Sequence, residues 1–304
     1  MRILFMGTPD IAAESLNALI AAGHDICAVF TRADKPVGRK QILTAPPVKQ
    51  TAKANGIPVY QPRTLRDGSS DELIKSLAPD IIVVVAYGCI IPPQLLHVAK
   101  YGCINLHVSL LPKYRGSAPI QWAVLNGDAE TGVSIMYMAE ELDAGDVILT
   151  AKTPIDPEED LPSLWDRLAK AGAEALAEAL PLLAAGTAPR TPQDNTQATF
   201  APMLSRELSP IDWTKPMAAI RNQVRGLIPW PCATAELAGQ RFKIYKTAVG
   251  TATDKTPGTL LSAGKKGIEV ACGDGQSLWI TELQAEGGKR MSAAAYLLGH
   301  PMNI

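Results

Sequence analysis

The chain has 304 residues, of which 47% are hydrophobic and 19% charged, with a formal net charge of −1. That is enough apolar material for two cores and an ordinary globular composition, which excludes a fibrous or largely disordered chain. The longest apolar run, 81–86, is far short of the roughly 20 residues that span a bilayer, and MRILFMGTPD reads as a strand and a turn rather than a secretion signal.

Residues 2–6 form a short β-rich run. Thr8-Pro9 then predicts an N-cap and a first-turn proline for a helix over 10–22, ended by Gly23. Gly7-Thr8-Pro9-Asp10 lacks the G-x-G-x-x-G pattern, so no nicotinamide cofactor is expected at this turn. A second strand is predicted over 25–31. Residues 32–47 read as a long loop, mobile in the free protein, and between Thr31 and Arg66 eight basic residues accompany one acid, Asp34. Such a patch attracts a polyanion, and equally suits a solvated loop. Helices over 48–55, 69–77 and 93–99 alternate with strands over 58–61 and 80–86, the last a β-branched run of the kind buried on both faces. The alternation predicts a parallel, Rossmann-like α/β sheet with right-handed crossovers.

The stretch from Asn105 to Asp146 carries the chemistry. Asn105, His107 and Ser109 recur every second residue in the apolar run 103–111, so they project to one side of a strand. Polar groups on a buried strand need partners or a ligand, and Pro112 ends the strand, placing them near its carboxyl end, where open α/β sheets bind ligands. A strand over 131–138 leads to Leu142-Asp143-Ala144-Gly145-Asp146, a small-residue loop able to return a carboxylate over the first strand. The Asn amide and the imidazole suit an oxyanion, and Asp143 suits orienting the histidine or taking a proton through water. Taken singly, His107 fits a core histidine and Asp143 a turn cap; together they define a site. His24, His97 and His300 have no comparable neighbours.

A further strand over 145–155 and a long helix over 161–185 follow. Residues 101–200 hold 6 Lys/Arg against 14 Asp/Glu, and Asp156, Glu158, Glu159 and Asp160 suit the amino-terminal end of that helix. Residues 186–210 contain four prolines and read as an extended linker. Beyond it, 12 Lys/Arg face 8 Asp/Glu over 201–304. A helix over 215–226 and strands over 234–237, 241–248, 258–263, 267–272 and 277–283, with a hairpin turn at Gly273-Asp274-Gly275, predict a small β-barrel of the oligonucleotide-binding type. The expected division is a catalytic domain over 1–186, a linker over 187–210 and a C-terminal β-barrel over 211–304. Cys27, Cys89, Cys103, Cys232 and Cys272 have no paired ligand spacing, so five reduced thiols in a cytoplasmic protein are expected, without zinc or disulfides.

The run Asn-x-His-x-Ser-Leu-Leu-Pro over 105–112, with Arg115-Gly116, Ala118-Pro119 and the distant Leu-Asp-x-Gly-Asp, resembles the catalytic signature of the folate-dependent formyltransferases. The resemblance covers essentially the whole chain. It implies that Asn105, His107 and Asp143 transfer a formyl group from 10-formyltetrahydrofolate to an amine, with no metal. It also implies that Ser109, Leu110, Leu111 and Pro112 contact the folate, and that residues 83–93 line its pterin pocket. MGTPD, Lys35-Pro36-Val37-Gly38-Arg39-Lys40, Pro47-Val48-Lys49, Ile211-Asp212-Trp213, Asn222-Gln223-Val224-Arg225-Gly226, Pro229-Trp230-Pro231 and Pro257-Gly258-Thr259 are similar to the branch with a C-terminal β-domain. For that branch the acceptor is methionine on initiator tRNA, for translation initiation. Arg39 and Lys40 are then expected to hold the tRNA acceptor stem, the C-terminal domain its body, and the protein to be a monomer. Two departures stand out: Ile11 replaces an aromatic of the family, and Gln41-Ile42-Leu43 is less basic than usual. Formylation of a sugar-nucleotide amine, hydrolysis of formyl-folate, and non-catalytic RNA binding are the alternatives, and the last leaves the Asn105, His107 and Asp143 constellation unused.

Overall fold

A computed structural model of the chain describes residues 1–38 and 40–302. They divide into two compact units, one formed by residues 1–119, 130–154 and 165–201, the other by 120–129, 155–164 and 202 onward.

In the first unit the chain runs β1 (Arg2–Gly7), α1 (Asp10–Ala21), β2 (Asp25–Phe30), β3 (Lys35–Val37), β4 (Ile42–Thr44), α2 (Pro47–Ala54), β5 (Val59–Tyr60), α3 (Asp71–Ser76), β6 (Ile81–Val85), α4 (Pro93–Leu96), β7 (Cys103–His107) and β8 (Arg115–Gly116). Residues 120–126 of α5 (Pro119–Asn126) and 161–164 of α6 (Leu161–Ala185) belong to the second unit, and the first unit resumes with β9 (Glu130–Tyr137), β10 (Val147–Pro154), the remainder of α6 and β11 (Phe200–Ala201). Seven strands form one sheet in the order β10-β9-β7-β6-β1-β2-β5. The five strands from β7 to β5 are parallel, as the alternation predicts. All five residues of β6 are buried, because crossover helices cover both faces of a parallel sheet and the run Ile-Ile-Val-Val-Val has nothing polar to expose. Leu4, Met6, Phe30, Ile82 and Val84 belong to the core that results.

Three readings change. The sheet is not wholly parallel, since β9 runs antiparallel to β7 and β10 antiparallel to β9. The connection 138–146 carries no helix, and a parallel crossover needs a dozen or more residues. Residues 32–47 are not simply a loop, because β3 and β4 pair there as an antiparallel ribbon with all six residues exposed. Thr8 does not cap α1: Pro9 occupies the N-cap position, and the Thr8 hydroxyl donates to the Tyr87 carbonyl at 2.8 Å, tying the first turn to the chain after β6.

The second unit contains α7 (Met217–Gly226), β12 (Ala233–Leu237), β13 (Gln240–Ala252), β14 (Leu260–Gly264), β15 (Gly267–Ala271), β16 (Gln276–Ala285), β17 (Met291–Ser292) and α8 (Ala293–Gly299). The strands form a six-stranded antiparallel sheet along β12-β13-β16-β15-β14, with β17 added on β16, so the expected barrel takes the form of a path with β12 and β14 at its ends. Alternate residues of β12 and β13 point inward, and Ala235, Leu237, Phe242 and Ile244 pack with Ile268, Val270 and Ile280. Helix α8 escapes the sequence reading because Ala-Ala-Ala-Tyr-Leu-Leu-Gly is too short for a period to show. Its start is nevertheless marked by Ser292, whose hydroxyl accepts from Ala295 N at 3.2 Å.

Candidate active site

Strand β7 lies between β6 and β9, so every one of its residues is buried. Asn105 pairs in register with Val84 and Met136, and His107 with Ser134. Two residues apart, their side chains leave the same face of the sheet. Asn105 is 9% exposed, so its amide brings two hydrogen-bond donors to this buried face.

The strand stops at His107 rather than at Leu111. Ser109 is fully buried and its hydroxyl donates to Lys113 O at 2.6 Å, while its carbonyl accepts the Ser134 hydroxyl at 2.7 Å. Ser134 also accepts Leu111 N–H at 3.2 Å. These bonds bend the chain, so Ser109 braces the turn from beneath and Leu110, Leu111 and Pro112 stand half-buried on it.

The turn brings the Tyr114 carbonyl 2.9 Å from His107 Nε2. A carbonyl only accepts, so Nε2 carries the hydrogen and Nδ1 of the neutral ring is an acceptor. Nδ1 faces Asp143 Oδ2 at 3.7 Å, with the two side chains 6% and 12% exposed. A proton received at Nδ1 therefore arrives beside a poorly solvated carboxylate, where charge attraction is little screened.

Asp143 is positioned by its surroundings. Its φ is 51°, in the left-handed region, and Oδ2 accepts Gly116 N–H at 2.8 Å. Gly145 lets the loop pass close to β9, since a Cβ there would lie 1.8 Å from the Tyr137 carbonyl. Gly116, at φ 122°, lies against the Ala201 backbone where β8 pairs with β11.

The segment read as a linker supplies part of this site. Arg115 is 2% exposed, and its Nε and Nη2 donate to Gln193 Oε1 at 3.1 and 2.8 Å, with Nη2 also reaching Asn195 Oδ1 at 2.7 Å. Glu141 Oε1 lies 3.6 Å from Nη1. Tyr114 N and Arg115 N donate to Thr199, the first to its hydroxyl at 2.9 Å and the second to its carbonyl at 2.8 Å. Of these residues the sequence singled out only Arg115. The one signal for the rest is a cluster of amide side chains, Gln193, Asn195 and Gln197, within a proline-punctuated stretch.

Along 83–93, Tyr87 is 2% exposed, its hydroxyl has no partner among the described residues, and burial pushes its pKa up. Cys103, at the start of β7, is likewise pushed up by burial, which keeps it an inert thiol. Lys40 is exposed in the turn between β3 and β4, whereas Arg39 lies outside the described residues. Ile11 is 1% exposed on α1, a core position. Among the described residues no group of three or more His, Cys, Asp or Glu could hold a metal, and no helix is long and apolar enough to cross a membrane.

A pair of polar groups on a buried strand end, faced by a clamped carboxylate, fits acyl-type transfer to an amine, and known proteins agree. The model of the formyl transferase family matches residues 1–180, and that of the formyl transferase C-terminal domain matches 203–301. The chain belongs to the formyl transferase family. Its relatives include the methionyl-tRNA formyltransferase of Geotalea uraniireducens, 51% identical over 301 residues, covering 99% of this chain and 95% of the relative. That of Moorella thermoacetica is 49% identical over 308 residues, covering 99% and 97%. Among solved structures, an N-formyltransferase of Helicobacter canadensis with folinic acid and dTDP-3-aminofucose shares the fold, with a TM-score of 0.70 at 18% identity over 91% of this chain and 98% of that one. HypX of Aquifex aeolicus with tetrahydrofolic acid has a TM-score of 0.67 at 19% identity, covering 98% of this chain and 47% of HypX.

Proposed function

We propose that the chain transfers the formyl group of 10-formyltetrahydrofolate to the α-amino group of methionine on initiator tRNA, the step that prepares methionine for translation initiation. The substrate pair rests on the full-length likeness to methionyl-tRNA formyltransferases. The chemistry rests on one observation: His107, with Nε2–H on the Tyr114 carbonyl, turns Nδ1 toward Asp143 on the sheet face it shares with the buried Asn105 amide.

The methionine nitrogen attacks the formyl carbon, and the carbonyl oxygen becomes an oxyanion that accepts from the Asn105 amide and is further stabilised by the positive charge His107 carries once Nδ1 holds a proton. The proton lost from the attacking nitrogen passes to the His107–Asp143 pair, directly or through water, and a proton is returned to the folate nitrogen as its bond to the formyl carbon breaks. No covalent enzyme intermediate is needed, because the amine is itself the nucleophile. Leu110, Leu111 and Pro112 form the apolar wall for the folate, with Ser109 shaping it from below, and Lys40, with Arg39, holds the acceptor stem. Formyl transfer belongs to the unit that runs through residue 201, so that 187–201 of the expected linker is part of the catalytic domain, and tRNA binding belongs to the β-domain over 211–304. The protein acts as a monomer in the cytoplasm, where the initiator tRNA is found.

The test is a formylation assay with purified protein, 10-formyltetrahydrofolate and methionyl initiator tRNA, run beside methionyl elongator tRNA and a sugar-nucleotide amine. Formylmethionyl product from the initiator tRNA is expected. Turnover with the sugar nucleotide alone, or release of formate without transfer, would replace this reading.

A further inference from the structure

Asp143 is held at both of its polar ends. Its carboxylate accepts Gly116 N–H at 2.8 Å, and its backbone carbonyl accepts Gln193 Nε2 at 2.8 Å. The same Nε2 donates to Gly145 O, also at 2.8 Å, so one side-chain amide spans the loop that carries the carboxylate. An amide nitrogen has two hydrogens, and both are used. Which way the Gln193 amide faces is fixed as well: its Oε1 receives Arg115 Nε and Nη2 at 3.1 and 2.8 Å, and a guanidinium offers no acceptor for Nε2. Arg115 is immobilised in turn by burial and by Asn195.

We infer that Gln193 is a positioning residue for formyl transfer, holding the 143–145 backbone so that the Asp143 carboxylate stays on His107. The inference rests on the reading of Asp143 as part of the proton-transfer pair. A left-handed non-glycine residue persists only where its surroundings over-determine it. Asp143, at φ 51°, has two such determinants, and Gln193 is the one that grips the backbone itself. Without it the loop relaxes, the carboxylate leaves its station 3.7 Å from Nδ1, and the chemical step slows. Donor and tRNA binding depend on other surfaces and persist.

The competing account is that Gln193 serves only to satisfy the buried Arg115 guanidinium. Gln193→Glu separates the two, because it keeps a charge-assisted partner for Arg115 while turning an acceptor oxygen toward the Asp143 and Gly145 carbonyls. Gln193→Ala removes both functions. For formylation of methionyl initiator tRNA, both variants are expected to lose at least 10-fold in kcat with KM for folate and tRNA within threefold of the parent. The Glu variant should melt no lower than the Ala variant. In an Asp143→Asn background, Gln193→Glu should cost less than a further twofold, since residues acting through one another are not additive. Parent-like kcat in the Glu variant, or a full multiplicative loss in the double variant, overturns the inference. If Asp143→Asn alone formylates at the parental rate, the catalytic reading of Asp143 fails instead, so the two failures are told apart by the single variants.

Discussion

The end of β7 and the β3–β4 ribbon belong to the same compact unit and are built in opposite ways. At β7 every residue is buried, and the surrounding loops are cross-linked by bonds to Tyr114, Gly116 and Gln193. On the ribbon every described residue is exposed, including Val37 at 55%, Ile42 at 61% and Leu43 at 67%. Among the described residues its side-chain bonds are local, Gln41 to Gly38 O and Thr44 to Ile42 O, and its base is anchored where Lys49 Nζ meets Asp34 Oδ1 at 2.7 Å. Under the proposed function the difference separates two physical tasks. Bond-making needs donors and acceptors fixed before the substrate arrives, whereas gripping a large polyanion needs reach, charge and surface left open.

Substitutions can break this contrast, and the largest effect belongs to the rigid end. Asn105→Ala, His107→Ala and Asp143→Ala should each lower kcat at least 100-fold, about 2.7 kcal/mol of barrier, in protein whose circular dichroism and melting are nearly parental. Parental turnover in folded His107→Ala would remove the assignment. Gly145→Ala comes next: its Cβ would lie 1.8 Å from the Tyr137 carbonyl, so the loop must shift. A drop of about 1–3 kcal/mol in unfolding free energy and a 10-fold or larger loss of kcat are expected, measured by denaturant titration and turnover.

On the open ribbon the effects should be smaller and of another kind. Lys40→Ala should raise KM for tRNA severalfold with kcat and folate binding unchanged, and the penalty should shrink as salt is raised from low to moderate concentration. A salt-independent penalty would argue against a phosphate contact. The least effect is expected at the ribbon's base. Hydrogen bonds from Lys49 and then Gln61 hold the Asp34 carboxyl below the usual carboxylate range. A depressed folded value means that this stability is present above the unfolded value of roughly 4 and is lost as pH falls through the lower folded value. Melting of Asp34→Asn should therefore trail the parent at neutral pH, with the gap beginning to narrow near about pH 4 and closing only as pH falls through the lower folded value, which pH-resolved melting curves would show.

The sequence showed the parts whose signals are local and periodic. Alternation of Asn105 and His107 along a buried strand and the small residues around Asp143 were enough to pick out side chains that the fold brings together, His107 Nδ1 lying 3.7 Å from Asp143 Oδ2, whereas the strand ends at His107 and not at Pro112. The apolar run of β6 and the turn residues of the second unit marked strands for the same reason. What escaped depends on partners far along the chain. Nothing around Gln193 announces that its amide will meet carbonyls 48 and 50 residues earlier, since a bond to backbone imposes no pattern on the residues it joins. The reversal of β9 escaped because an apolar strand reads alike in either direction. Ser109 was placed on a ligand-facing side because period two was carried past His107, where bonds to Lys113 and Ser134 had already bent the chain.

The pairing of β8 with β11 bears on how the enzyme comes into being during synthesis. A nascent chain has all five parallel strands by residue 107 and Asp143 soon after, yet Gln193, Asn195, Thr199 and Ala201 are the partners that fix Arg115, Gly116 and the Asp143 loop. The order of translation therefore makes the sheet early and the bracing of the Asp143 loop late, so a growing chain carries Asn105, His107 and Asp143 for some time before the last of them is locked in place. A fragment cut at residue 186 would be frozen at that stage, with the sheet complete and the carboxylate untethered from Gln193, whereas one extended past residue 201 carries the whole brace.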